Sequence, residues 1–376
     1  MKKLLALLLA VLLLAGCTAA PTPTDAPSTQ ATTLQTEPAK PVKNLIIIIG
    51  DGMGPSQIEA AQQYYGKTFS FTQWDSIKVN TNSLNAEGQP EQLTDSAASA
   101  TALATGTLTT NGTVGRDPSG KDLVTVLDIA KELGMATGIV TTDLLTGATP
   151  AGFSAHAPNR DDDQMILNSQ VHSGVDLLCS ATTGGINPKD FEKTGYAFYD
   201  NIKEVSPADE KALWQLYLPE TDAGDKLAKA TTAALEFLSK DTDGFVLMIE
   251  EAKVDKNCHK NDMTGCLKAV NSLNNTVDAV LAWLGDRDDT AILVTADHET
   301  GGLLLGAEGE YLHGCPRPDG SKFSYEFTTE GHSKTPVWLF TYGFRPELAS
   351  RAAEDGTIKN TVIFQIMEEY LRTPAQ

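Results

Sequence analysis

The sequence predicts an α/β fold built on a central, mainly parallel sheet. Three observations carry this. Apolar, β-branched runs recur along the chain without the alternation expected of a strand with one wet face. Stretches of helical period lie between them, and strand alternating with helix is the pattern of a parallel sheet. Acidic and imidazole side chains follow the runs directly, at the strand ends where such sheets bind ligands.

Residues 45–49 (Leu-Ile-Ile-Ile-Ile) read as a strand buried on both faces. Residues 96–105 are Ala-rich and predict a helix that opens at Ser96. A second strand is expected at 136–142, an Ala- and Leu-rich helix at 226–239, and a third strand at 245–249. Within 266–284, Val270, Leu273, Val277, Val280 and Leu284 recur at spacings of three and four, which is one helix face. Strands at 290–295 and 336–342 complete the set. Residues 185–225 carry no readable pattern and are expected as an insert that shapes access to a site. No internal repeat and no second-domain boundary interrupts residues 44–376, expected to be a single folded domain.

The N-terminus reads as an address. A basic Met1-Lys2-Lys3 start precedes an apolar stretch of signal-peptide length that ends in Leu14-Ala15-Gly16-Cys17. This is similar to a bacterial lipobox, so residues 1–16 are expected to be removed and Cys17 to be lipidated. Residues 17–43 are rich in Thr, Pro, Ala and Ser and are expected to form a flexible spacer. The expected location is the bacterial cell envelope, exported and lipid-anchored, with no membrane span beyond the leader.

The 376-residue chain carries a formal net charge of −20, which argues against nucleic-acid binding. Five cysteines are too few for a disulfide scaffold and lack the paired spacing of a cysteine metal site. Cys258 stands beside His259, and export permits it to pair with Cys266 or Cys315.

Asp51 follows the first strand, and Thr149 and Arg160 follow the second. Glu250, Asp255 and His259 follow the third, Asp297 and His298 the fourth, and His332 precedes the last. Alone, each suits a turn, a solvated face or a surface ion pair. Together, four carboxylates converging on one sheet edge would repel one another, and cations would relieve the cost. Asp, Glu and His are suitable ligands for zinc or magnesium, and their number suggests more than one ion. Ser96 falls at or near a helix N-terminus, where an anion is favoured. It reads either as a nucleophile or as a helix cap, a role for which Asp95 competes. His156, His172 and His313 offer no evident Ser-His-Asp setting, and the Gly-x-Ser-x-Gly elbow is absent. Activation of the serine by a metal is the remaining route.

The stretch Leu93-Thr94-Asp95-Ser96-Ala97-Ala98-Ser99-Ala100-Thr101 resembles the active-site signature of bacterial and animal alkaline phosphatases. The resemblance takes in Gly50-Asp51-Gly52-Met53-Gly54, Ala148-Thr149-Pro150-Ala151, Arg160, Glu250-x4-Asp255-x3-His259, Asp297-His298 and His332, in order. It implies a three-layer α/β/α sandwich that hydrolyses phosphate monoesters through a phosphoserine on Ser96. It implies one zinc on Asp255, His259 and His332, a second on Asp51, Asp297 and His298, and magnesium on Asp51, Thr149 and Glu250. Arg160 would clamp two phosphoryl oxygens, Lys256 would contact phosphate, and small-molecule phosphomonoesters would be the substrates of a homodimer.

Two departures and two competing readings accompany it. Gly147 stands where relatives often place Asp or His beside the magnesium site, which leaves the third ion open. Glu251 adjoins Glu250, and the spacing to Asp255 and His259 selects Glu250. A phosphodiesterase or sulfatase on the same scaffold is one competitor, but the sulfatase motif Cys/Ser-x-Pro-x-Arg is absent. A silent metal- or phosphate-binding lipoprotein is the other, and it predicts lost ligands, whereas all seven carboxylate and imidazole ligands are present.

Overall fold

A computed structural model describes residues 43–91, 93–181, 186–199, 210–215, 226–343 and 347–373. The leader, Cys17 and nearly all of the expected spacer lie outside these residues. A ten-stranded sheet organises the rest. From one edge it runs Thr357–Lys359, Asp75–Asn80, Val337–Tyr342, Thr290–Thr295, Asn44–Gly50, Phe245–Glu251, Ala136–Thr141, Leu177–Ser180, Lys211–Gln215 and Tyr196–Tyr199. Val337–Tyr342 alone runs against the other nine. The parallel centre explains the apolar runs: every residue of Asn44–Gly50, Phe245–Glu251 and Thr290–Thr295 is buried.

The helices cover the sheet. Met263–Leu284 turns its predicted face inward, with Val270, Leu273, Val277, Val280 and Leu284 all buried. Lys226–Leu238 packs beside it. Ser96–Thr105 is buried along its whole length, which its Ala-rich composition permits. The described parts of 185–225 include two strands, Tyr196–Tyr199 and Lys211–Gln215, that extend the sheet edge. In those parts the region continues the sheet.

Register aligns the strand ends. Ile49 lies opposite both Thr295 and Glu250, and Thr141 lies opposite Glu250 on the other side. Asp51, Glu250 and Asp297 therefore leave the sheet at one level. A two-residue antiparallel bridge, Glu299–Thr300 with His332–Ser333, folds His332 back over His298. No described helix is long and apolar enough to cross a membrane.

Candidate active site

The chain turns sharply after the first strand, and the turn is made by Gly52. Its φ is +74°, and a Cβ there would lie 2.7 Å from Asp255 Cα. The Gly52 amide donates to Asp297 Oδ1 at 3.1 Å, and the Asp255 amide donates to the Asp51 carbonyl at 2.7 Å. Backbone bonds thus lock three acidic residues from three strand ends together.

Ser96 is the first residue of its helix, and Asp95 is the cap. Asp95 Oδ1 accepts from the Ala98 amide at 2.9 Å, while Oδ2 accepts from the Gly112 amide at 2.9 Å and from Arg160 Nη1 at 3.2 Å. With capping done by its neighbour, the buried Ser96 hydroxyl is left facing the cluster, 3.2 Å from His298 Nε2. Asp95 also holds Arg160 beside the serine, and although burial opposes the guanidinium charge, the Asp95 charge and hydrogen bond together with the Asp51 and Asp297 charges outweigh it.

Each imidazole is oriented by its Nδ1. His332 Nδ1 donates to the Thr94 carbonyl at 2.7 Å, and His259 Nδ1 donates to the Glu330 carbonyl. A carbonyl can only accept, so each bond fixes a proton on Nδ1. Thr300 gives its hydroxyl proton to Asp255 Oδ1 at 2.6 Å and so accepts from His298 Nδ1 at 3.2 Å. All three Nε2 atoms are left toward the carboxylates. His259 and His332 bring theirs within 3.3 Å of each other, with Asp255 Oδ1 at 3.2 and 3.6 Å. His298 Nε2 lies 3.2 Å from Asp297 Oδ2 and 3.7 Å from Asp51 Oδ1, and its ring stacks on His332 at 3.5 Å.

This donor set fits cations. Two lone-pair nitrogens cannot hydrogen-bond each other, so a proton or a metal belongs between them. Asp51 Oδ1, Asp297 Oδ2 and Thr149 Oγ1 are buried and make no hydrogen bond, a costly state without an ion. Asp255, His259 and His332 form one group whose ligand atoms lie within 4.8 Å of one another, and Asp51, Asp255 and His298 form another. Asp255 thus borders both groups, which the sequence did not indicate.

Charge confirms the crowding. Burial raises the Asp51 carboxyl well above the usual range, with Asp297, Asp255 and Glu250 adding to it. Burial, and then the Asp143 charge, push Glu250 up to about 8. Burial also works to raise Asp255, but His259, His298 and Thr300 together hold it well below the ordinary value. The hydrogen bond to Asp255 lifts His259 to about 9.

Glu250 faces this cluster and accepts from Thr141. Glu251 points the other way, to the Thr142 hydroxyl at 2.8 Å and the Lys253 amide at 3.2 Å. Lys256, expected at phosphate, pairs its ammonium with Asp143. His156 ties its loop to the Leu123 carbonyl at 2.8 Å, and the backbone of that loop leads to Arg160. Cys179, Cys258, Cys266 and Cys315 are buried free thiols. Sequence reasoning missed Thr300 and Asp143. The first follows His298 by two residues in a strand too short to read, and the second follows the second strand directly, a position that was a usable signal.

Fold and site together define a class: α/β proteins with clustered side chains able to hold metal ions beside a serine. The sequence matches the family model for alkaline phosphatase over residues 42–183 and 217–361. The chain belongs to the alkaline phosphatase family. It is 32% identical over 294 residues to alkaline phosphatase 3 of Bacillus subtilis, covering 72% of this chain and 64% of that protein. The chain therefore spans slightly under two thirds of that relative's length. It is 31% identical over 332 residues to the alkaline phosphatase of Escherichia coli, covering 69% of this chain and 70% of that one. A variant of the alkaline phosphatase from the Antarctic bacterium TAB5, with magnesium bound in its M3 site, superimposes with a TM-score of 0.76 at 27% identity, covering 90% of this chain and all of that one.

Proposed function

We propose that the chain is an alkaline phosphatase that hydrolyses small-molecule phosphate monoesters to an alcohol and inorganic phosphate through a phosphoserine on Ser96. The observation that carries this reading is the convergence of three Nε2 atoms and the unpartnered Asp51 and Asp297 oxygens beside the Ser96 hydroxyl. Asp255, His259 and His332 would hold one zinc, Asp51, Asp297 and His298 a second, and Asp51, Thr149 and Glu250 a magnesium. Those ions would supply charge neutralisation and Lewis acidity at the entering and leaving oxygens.

The chain's own groups divide the rest of the work. Ser96 Oγ attacks phosphorus as the bond to the leaving alcohol breaks, and water later breaks the phosphoserine. The helix N-terminus behind Ser96 favours the anion at that point. Arg160 offers a planar fork for two phosphoryl oxygens, a better match than a point charge. Asp95 keeps that fork beside the serine. Export with lipidation at Cys17, and a homodimer, belong to the same proposal. The first rests on Leu14-Ala15-Gly16-Cys17, the second on family resemblance.

The test is phosphate release from a chromogenic monoester at alkaline pH, before and after EDTA and after zinc and magnesium are restored, with Ser96→Ala alongside. Activity should vanish with chelator, return with metal, and fall by about three orders of magnitude or more in the serine variant. Metal-loaded protein that releases no phosphate from monoesters would sink the reading, and diesters would then be the substrates to try.

A further inference from the structure

Position 147 lacks the side chain that relatives place beside the magnesium site, yet the space is filled. A Cβ built on Gly147 would lie 2.8 Å from Asp143 Oδ2 and 3.0 Å from Asp143 Cγ. The Asp143 carboxylate therefore sits where a side chain from 147 would project. Its position is fixed from several sides. Asp143 Oδ1 accepts from the Leu144 amide at 2.8 Å and pairs with Lys256. The Asp143 amide donates to Thr141 Oγ1 at 2.8 Å, and that hydroxyl donates in turn to Glu250. The Asp143 charge also bears on Glu250, where after burial it is the largest influence that raises the carboxyl, and the buried Thr149 hydroxyl acts on the same carboxylate.

We propose that Asp143 is the positioning residue of the third metal site, supplying from four residues upstream the carboxylate that position 147 lacks, and anchoring Lys256 with its other oxygen. The inference rests on the function proposed above. Its chemical consequence is a choice of ion. A carboxylate adds oxygen to an all-oxygen set of Asp51, Thr149 and Glu250, and magnesium prefers oxygen and keeps several of its waters, which an outer carboxylate can hold. An imidazole from 147 would instead favour zinc.

The test uses the full chain loaded with two zincs. Magnesium affinity is titrated calorimetrically, and bound zinc and magnesium are counted by mass spectrometry, for wild type, Asp143→Ala, Asp143→Asn, Gly147→Asp and the double variant Asp143→Ala with Gly147→Asp. Asp143→Ala should weaken magnesium about tenfold or more while two zincs remain. Asp143→Asn keeps the shape and should weaken it in the same direction. Gly147→Asp alone should bring no gain, because two carboxylates would contend for one space. In the Asp143→Ala background it should restore most of the lost affinity. Wild-type affinity in both Asp143 variants, or a double variant no better than Asp143→Ala, overturns the proposal. Wild type that is active and binds three ions, with Asp143 variants that do the same, removes only the role of Asp143. Wild type that takes up no metal and releases no phosphate removes the proposed function beneath it.

Discussion

Thr300 shows how much one hydroxyl can decide. It donates to Asp255 and accepts from His298, so it sets the tautomer of a candidate ligand in one group and the orientation of a carboxylate that borders both. Replacing it by valine keeps the volume and leaves His298 Nδ1 buried without an acceptor. Thr300→Val should weaken zinc binding about tenfold or more, and Thr300→Ser should preserve it. Competition with a chromogenic chelator reads this directly, and equal affinity in the valine and serine variants would refute the role. Asp95 has a comparable double duty, with one oxygen on the helix and the other on Arg160. The sequence offered Ser96 and Asp95 as rival caps. The geometry separates them, and the serine is free for chemistry because the aspartate is not.

At the scale of elements, the Gly50–Gly54 turn carries a tight constraint at the site. Gly52→Ala would place a methyl 2.7 Å from Asp255 Cα and 2.8 Å from Thr300 Oγ1, on a backbone with φ of +74°. Left-handed backbone and overpacking should together cost about 2–4 kcal/mol. Urea unfolding of the metal-loaded protein checks this, and a loss below about 0.5 kcal/mol would show that the turn can relax. Legibility in the sequence follows element size. Strands buried on both faces write continuous apolar runs, so 45–49, 245–249 and 290–295 were readable. Leu177–Ser180, Tyr196–Tyr199 and Thr357–Lys359 span three or four residues, too few to show a period. The reversed direction of Val337–Tyr342 leaves no mark in its composition. The candidate ligand residues were legible because each follows a readable strand or sits in a matched motif. Asp143 shared that position after a readable strand, but its relation to Gly147 depends on a space that only the folded backbone defines.

For the whole molecule, the cost of the acidic cluster should appear as a pH-dependent need for metal. With 49 acidic against 29 basic residues, the chain has no excess of basic residues to offset that cluster. In the metal-free protein, Glu250 titrates near 8 when folded and near 4.5 when unfolded. The folded state then binds the extra proton, so this group withdraws stability as pH rises from about 4.5 to 8. Asp51 is displaced in the same direction. His259 is raised from 6.5 to about 9, so the stability it contributes is complete below 6.5 and is lost as pH rises through 9. Asp255 is lowered, and its contribution is lost only on acidification below the ordinary carboxylate range. Between pH 5 and 9 the first three act in the same direction, each favouring the folded state less as protons are lost. Cations displace those protons and remove the penalty, so metal should stabilise most where protons are scarce. Calorimetric melting with and without EDTA should give a small difference near pH 5.5 and a large one near pH 9. An EDTA effect of equal size at both would mean that the cluster does not store this charge, and that the ions act on the fold elsewhere.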